Sequence, residues 1–200
     1  MKIGITGTIA SGKTSVSILL KKRGFPVFNA DQYAKMSLHN GNECFDKLVD
    51  LLGEDIIGED GDIDAKKMAQ KIFTNEEYRL QVNSIVHPFV KKGMLRFMER
   101  NNGIVFCEVP LLYEAKWEDC FDSILVVTCD RQVAIERLMR DRDYSEEEAN
   151  ARYDSQIASL KQVELADYVI HNDGDLKELN TLVNKFVREI RERSRYGHRS

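Results

Sequence analysis

Gly7-Thr8-Ile9-Ala10-Ser11-Gly12-Lys13-Thr14 concentrates the residues of this chain best suited to hold an anion. The stretch satisfies G-x-x-x-x-G-K-[ST]. It follows a short apolar run, Ile3 to Ile5, and precedes a helix-compatible segment, Ser15 to Lys22. Strand, glycine loop and helix in that order are the setting a phosphate-binding loop requires. Glycines let backbone N–H groups converge on phosphate oxygens with no Cβ in the way, and the helix N-terminus adds partial positive charge. In such a loop Lys13 reaches the β- and γ-phosphates and the Thr14 hydroxyl ligates Mg²⁺.

Four further groups could do chemistry with a bound triphosphate. Asp31 closes the run Pro26 to Asn29 and its follower Ala30. There it is either an acid that orients and deprotonates an acceptor hydroxyl or the N-cap of the next helix. Glu108 ends a second apolar run, in the position of the acid that partners a phosphate-loop metal. That partner is more often Asp, so a role through water or on the substrate stays open. Leu111 and Leu112, just after it, line a ligand pocket or fill the core. His87, ahead of Pro88, is a substrate contact or a structural histidine.

An arginine-rich turn is expected at Arg131, Arg137, Arg140 and Arg142, with Arg152 on the helix after it. By charge alone this is a solvated helix pair. With a phosphate loop in the same chain, a lid whose cations close over the triphosphate is the better reading.

The elements that must position these groups alternate. Candidate strands are Lys2–Thr6, Pro26–Asn29, Ile104–Glu108, Ser123–Thr128 and Tyr168–His171, short apolar runs suited to a parallel sheet covered on both faces. Helical segments between them give a doubly wound α/β pattern. Ala30 to Gly103 reads as helical throughout, with an N-cap at Asn75, a break or kink at Pro88 after Ser84–His87 and a second helix from Phe89 to Asn101. Ser145-Glu146-Glu147-Glu148 is a capping box that starts a helix at Glu146. Asp175 to Arg195 is amphipathic, with Leu176, Leu179, Leu182, Val183, Phe186 and Ile190 on one face, and the tail from Ser194 with Arg195, His198 and Arg199 is expected to fray.

The bulk properties agree with one compact unit. The 200 residues are 42% hydrophobic and 31% charged, and 29 basic against 33 acidic residues give a net charge of -4. That balance disfavours a broad nucleic-acid footprint. No apolar run approaches the ~20 residues of a membrane span. The chain enters the first strand directly, so no signal peptide is expected. Cys44, Cys107, Cys120 and Cys129 show neither zinc spacing nor a disulfide framework, and Cys107 and Cys129 read as reduced core residues. The expected compartment is the cytoplasm.

In order along the chain, GTIASGKT, PVFNAD, IVHPFV, EVPLLYEA, RLMRDR with RYDSQ, and ADYVIHNDG together resemble the dephospho-CoA kinase family. The resemblance implies a P-loop NTPase fold: a five-stranded parallel core (1–29, 104–129, 167–200) flanked by helices, a helical CoA-binding insertion (30–103) and a lid (130–166). It implies transfer of the γ-phosphoryl of ATP to the ribose 3′-hydroxyl of dephospho-CoA, with Mg²⁺. Carried over by motif, Asp31 is the base, and Lys13, Arg137 and Arg140 act on the transferred phosphoryl. Ala10, Ser11, Gly12, Lys13, Thr14, Ser15 and Arg142 hold the nucleotide. Asn172 and Gly174 lie near adenine. His87, Pro88, Glu108, Leu111 and Leu112 face the substrate, and Thr14 takes the metal.

Three positions depart from the family pattern. Asn29 stands where D-A-D has its first acid, and Glu108 stands where Asp is usual. Asp141 occupies the second arginine of R-L-x-x-R, so either Arg140 or Arg142 must supply that cation. Two other readings compete. A nucleoside-monophosphate-type kinase shares loop and lid, and a GTPase-like switch would need an N-K-x-D motif that the chain lacks.

Overall fold

The computed structural model describes residues 1–73, 75–154 and 159–196. The chain divides into two compact units, Met1–Phe28 with Asn101–Ser200, and Asn29–Arg100.

The first unit is built on a five-stranded sheet of β1 (Lys2–Gly7), β2 (Val27–Asn29), β3 (Val105–Glu108), β4 (Ser123–Thr128) and β5 (Tyr168–His171), in the order β2-β3-β1-β4-β5. β1 pairs in parallel with β3 and β4, and β4 with β5. These are the five expected runs: β4 and β5 have the expected bounds, and β1, β2 and β3 each differ by one residue at one end. Ile3, Ile5, Phe106, Leu125 and Val127 carry the sheet's share of the core. Helix α1 (Lys13–Lys22) adds Val16 and Leu20, and a C-terminal helix, Leu176–Tyr196, adds Leu179, Val183, Phe186 and Ile190. Leu176 and Leu182, expected on that face, are instead exposed. The buried stripe follows 179, 183, 186, 187 and 190, and a residue in the first turn or a third of a turn off the stripe misses the sheet. Asp175 caps this helix by accepting from the N–H groups of Lys177 and Glu178. The helix continues to Tyr196 where fraying was expected, and His198 and Arg199 lie outside the described residues.

Cys107 and Cys129 are buried as expected, and all four thiols are free. Burial pushes the Cys107 thiol up to about 12.

The second unit holds α2 (Ala30–Lys35), α3 (Phe45–Leu52), α4 (Ala65–Phe73) and α5 (Glu76–Arg100). It is not helical throughout. Short 3-10 turns occupy Met36–Leu38 and Glu54–Ile56, and an antiparallel bridge joins Ile57 to Ile63. Asn75 caps α5 by accepting from Glu77 and Tyr78. Pro88 does not end this helix, which runs unbroken for 25 residues. A mid-helix proline costs about 3 kcal/mol, yet packing wins here because the helix is anchored on both sides of it. Val82 lies before the proline, and Val90, Met94 and Met98 lie buried after it.

An aromatic contact joins α2 to α5. Tyr33 stacks on Phe89 with ring centroids 4.9 Å apart. A Cβ at Gly93 would sit 2.2 Å from the Tyr33 ring, so glycine is what permits the approach. Gly93→Ala gains up to about 1 kcal/mol of helix propensity but overpacks a filled contact at a cost of roughly 1–3 kcal/mol. A lower thermal midpoint is expected; a midpoint equal to or above that of the parent would show the contact to be slack.

Beyond β4 the arginine-rich stretch forms a helix, α6 (Arg131–Arg142), where a turn was expected. Ala134, Ile135 and Leu138 give it a buried stripe that the dense charge hides in sequence. α7 (Glu146–Asp154) starts at the expected capping box: Ser145 N–H donates to Glu148, and Glu148 N–H to Ser145 Oγ. α8 (Ser159–Glu164) leads into β5, and the C-terminal helix is α9. Ser155 and Gln156 of the RYDSQ motif lie outside the described residues.

Candidate active site

The loop after β1 is turned by a hydrogen bond from Ser11 N–H to Thr8 O at 3.3 Å, with Ala10 in the left-handed region at φ 56°. Gly12 follows at φ 90° and is the N-cap of α1, with no side chain capping the helix. The first-turn N–H groups of α1 therefore have no side-chain cap, at the end where the helix dipole favours an anion. The hydroxyls of Thr8 and Ser11 are buried with no hydrogen-bond partner among the described residues. An uncapped N-terminus beside orphaned donors fits a phosphate chain.

The loop's carbonyls, by contrast, are held. Lys13 Nζ donates to Gly7 O at 3.0 Å and to Thr8 O at 2.7 Å. Arg137, on α6, donates to Ala10 O at 3.3 Å and to Gly174 O at 3.2 Å. Asn172, after β5, donates to Ser11 O at 2.8 Å. Cys129 Sγ lies 4.0 Å from Ala10 O, with its thiol held above the usual range chiefly by burial. Asp173 accepts from the N–H of Asp130 at 2.6 Å, tying the start of α6 to the end of β5. Asn172 and Gly174, expected near adenine, are thus engaged with the phosphate loop and with Arg137.

Thr14, exposed in the first turn of α1, donates its hydroxyl to Glu108 Oε1 at 2.8 Å. Glu108 is 3% exposed at the end of β3. Two hard oxygens at that spacing match adjacent corners of an octahedron with bonds of about 2.1 Å, so the pair fits Mg²⁺. Ser15 is half-buried in the same turn. Leu112, expected either to face the substrate or to fill the core, is core at 0% exposure, whereas Leu111 is not, being 48% exposed.

The α6–α7 pair forms a small cluster of Ile135, Leu138 and Ala149, and Ile9 and Ala10 of the loop pack into it. Its arginines differ in employment. Arg131 pairs with Asp154 and lies over the Tyr153 ring, and Arg152 lies over Tyr144, so both brace the hairpin. Arg140 forms a bidentate pair with its neighbour Asp141 at 2.7 and 3.0 Å. Arg142 is exposed and makes no ion pair among the described residues.

Three candidates belong to the second unit. The alternative of Asp31 as a helix cap is overturned: Asn29 Oδ1 accepts from Gln32 N–H at 2.8 Å, and Asp31 is an exposed residue in the first turn of α2. His87 is half-buried on α5, and burial lowers its pKa. Pro88, next to it, is exposed. Sequence reasoning missed Tyr33 and Gly93, which clamp the helix of Asp31 to that of His87. A glycine inside a long helical pattern was the available signal, since it marks close approach.

The sequence model of dephospho-CoA kinase matches residues 1–178. The chain belongs to the dephospho-CoA kinase family. A Bacillus cereus dephospho-CoA kinase is 40% identical over 183 residues, covering 90% of this chain and 92% of its own. A Thermus thermophilus protein of known crystal structure superposes with a TM-score of 0.79 at 29% identity, covering 94% of this chain and 97% of its own. A dephospho-CoA kinase from Campylobacter jejuni shares the fold, with a TM-score of 0.66 at 23% identity over 94% of this chain and 96% of its own. Members of this family phosphorylate dephospho-CoA with ATP in coenzyme A synthesis, which decides against the nucleoside-monophosphate-type and GTPase-like readings.

The tightest constraint in the loop is at Gly12. A Cβ there would lie 2.4 Å from Asn172 Nδ2, and φ 90° is itself costly for any other residue. Gly12→Ala is expected to lose at least ~1–2 kcal/mol of stability from the backbone alone. Denaturant unfolding measures it, and an unchanged midpoint would mean that the loop relaxes freely.

Proposed function

We propose that this chain carries out the family's transfer with the following division of labour. ATP lies with its phosphates on the N–H groups of residues 10–15 and on Lys13. The 3′-oxygen of dephospho-CoA forms a bond to the γ-phosphorus as the bond from that phosphorus to the β–γ bridging oxygen breaks. ADP leaves, and the hydroxyl proton passes to the Asp31 carboxylate. Thr14 and Glu108 would hold Mg²⁺, which when bound would neutralise charge on the phosphates. The observation that carries this reading is the exposed Thr14 hydroxyl tied to a buried Glu108 at the uncapped start of α1. A phosphate loop without such a pair would bind anions yet lack a place for the metal.

Asp31 is assigned from its position two residues after β2 and from the family motif. Its exposure in the first turn of α2 supports the role. The compact unit Asn29–Arg100, with His87 and Pro88, is assigned to the CoA moiety, and 130–166 to the lid. Four free thiols and an ATP substrate favour the cytoplasm, and no described helix is long and apolar enough to cross a membrane.

Incubation with Mg-ATP and a panel of nucleosides, nucleotides and dephospho-CoA tests the whole reading. ADP release is expected with dephospho-CoA, and turnover confined to a nucleoside monophosphate would refute it. Within that assay, Asp31→Asn is expected to slow transfer at least ~10²-fold with ATP affinity nearly unchanged, since binding does not need the acceptor charge. Turnover within a few-fold of the parent would remove Asp31 from the mechanism.

The lid arginines separate in the same assay. Arg140 is committed to Asp141 in an exposed pair of the kind that contributes 0–1 kcal/mol, so Arg140→Ala should change turnover by less than about five-fold. Arg142 is the cation available to the phosphates, and a charge-assisted hydrogen bond contributes about 1.5–3 kcal/mol, so Arg142→Ala should cost about ten-fold or more. The reverse ranking would return the role to Arg140.

A further inference from the structure

We infer that Asn172 is a positioning residue for ATP: by holding the Ser11 carbonyl it aims the Gly12 N–H at the phosphates. A trans peptide is planar, with its C=O and N–H pointing in opposite directions. Fixing the Ser11 oxygen therefore fixes the direction of the Gly12 hydrogen. The fixing group is well built. Asn172 is 5% exposed, its own N–H donates to Thr128 O at 2.8 Å, and its amide nitrogen lies 2.8 Å from Ser11 O. An acceptor oxygen at that distance also settles which end of the amide faces the loop, since only the nitrogen can donate.

The close fit is two-sided. At Gly12 the backbone approaches Asn172 so tightly that a Cβ would lie 2.4 Å from the amide nitrogen. Both the glycine and the asparagine are therefore needed for one peptide plane. β5 is separated from β1 by β4, so the contact reaches across a strand to the loop that leaves β1. Loss of the donor would leave a buried carbonyl unsatisfied and free to rotate toward the anion, replacing a donor with a repelling oxygen. An unsatisfied buried carbonyl is costly enough to reorient the peptide.

This rests on the assignment of the loop to ATP but not on the identity of the acceptor, so the test uses ATP alone first. Calorimetry of Mg-ATP with Asn172→Ala should show affinity weakened about ten-fold. The Gly12 amide resonance, read in a ¹⁵N-labelled sample, should lose most of the shift that Mg-ATP induces in the parent. In turnover, KM for ATP should rise while KM for dephospho-CoA stays unchanged. Asn172→Asp conserves volume and removes the donor, so it must weaken ATP as well, and it supplies the reading if the alanine variant does not fold. ATP affinity within two-fold of the parent in either folded variant overturns the inference. So does an equal rise in both KM values, which a merely structural asparagine would give. An inactive parent that still binds ATP would count against the acceptor assignment and leave these binding comparisons intact.

Discussion

A backbone loop that turns its N–H groups toward an anion must turn its carbonyls into the protein, and those carbonyls need donors. This constraint organises the first unit. Gly7 and Thr8 are served by Lys13, Ala10 by Arg137 and Ser11 by Asn172. The donors come from three elements: the helix that follows the loop, α6 and the end of β5. The neutral Asn172 bond contributes near 1 kcal/mol net and the charged Lys13 and Arg137 bonds about 1.5–3 kcal/mol, and a carbonyl left buried and unpaired would carry its own desolvation cost of about 1–3 kcal/mol. The loop's shape is therefore a property of the assembled sheet, and not of the eight residues that define its motif.

The strain at Ala10 belongs to the same account. Its φ of 56° costs about 1–2 kcal/mol for an L-residue. The expenditure is offset locally, since Ala10 and Ile9 pack with Ile135, Leu138 and Ala149 and the Ala10 carbonyl takes the Arg137 proton. A glycine would relax the turn but would surrender the methyl that seats α6 and α7 on the loop. The α6–α7 pair and the loop thus share a core, so displacement of α6 would expose Ile9 and release the Ala10 carbonyl together. Arg137 serves structure in this arrangement before any phosphate arrives.

Much of this was legible in the sequence, and where it failed the reason is physical. The five strands were readable because buried parallel strands are short uninterrupted apolar runs between turn residues. The caps at Asn75 and Ser145 were readable because capping is local. Pro88 was misread because the cost of a helical proline is local but its compensation, burial of Val90, Met94 and Met98, is not. Leu176 and Leu182 were misplaced on the buried face because periodicity gives a stripe but not its edges. The phosphate loop, Thr14 and Glu108 were found as types and positions. Glu108 as the acid beside the loop's metal was one of two open readings, and the direct bond from the Thr14 hydroxyl to its carboxylate was not readable, since a spacing of 94 residues carries no local signal.

The asparagines show the same limit from the other side. Asn29 reads as the loss of an acid from a D-A-D motif, yet its side chain caps α2 at 2.8 Å, a task that Asp performs about equally well. The substitution therefore preserves the local structure that presents Asp31 and removes only a charge. Asn172 reads as one polar residue in a loop after a strand, yet its amide governs a peptide plane across the sheet. An Asp in its place would repel the carbonyl that it now holds, so at 172 the amide is required and at 29 it is tolerated. The two positions differ in one physical respect: at 29 the partner is a donor N–H, which either side chain can accept, and at 172 the partner is an acceptor, which only the amide can satisfy.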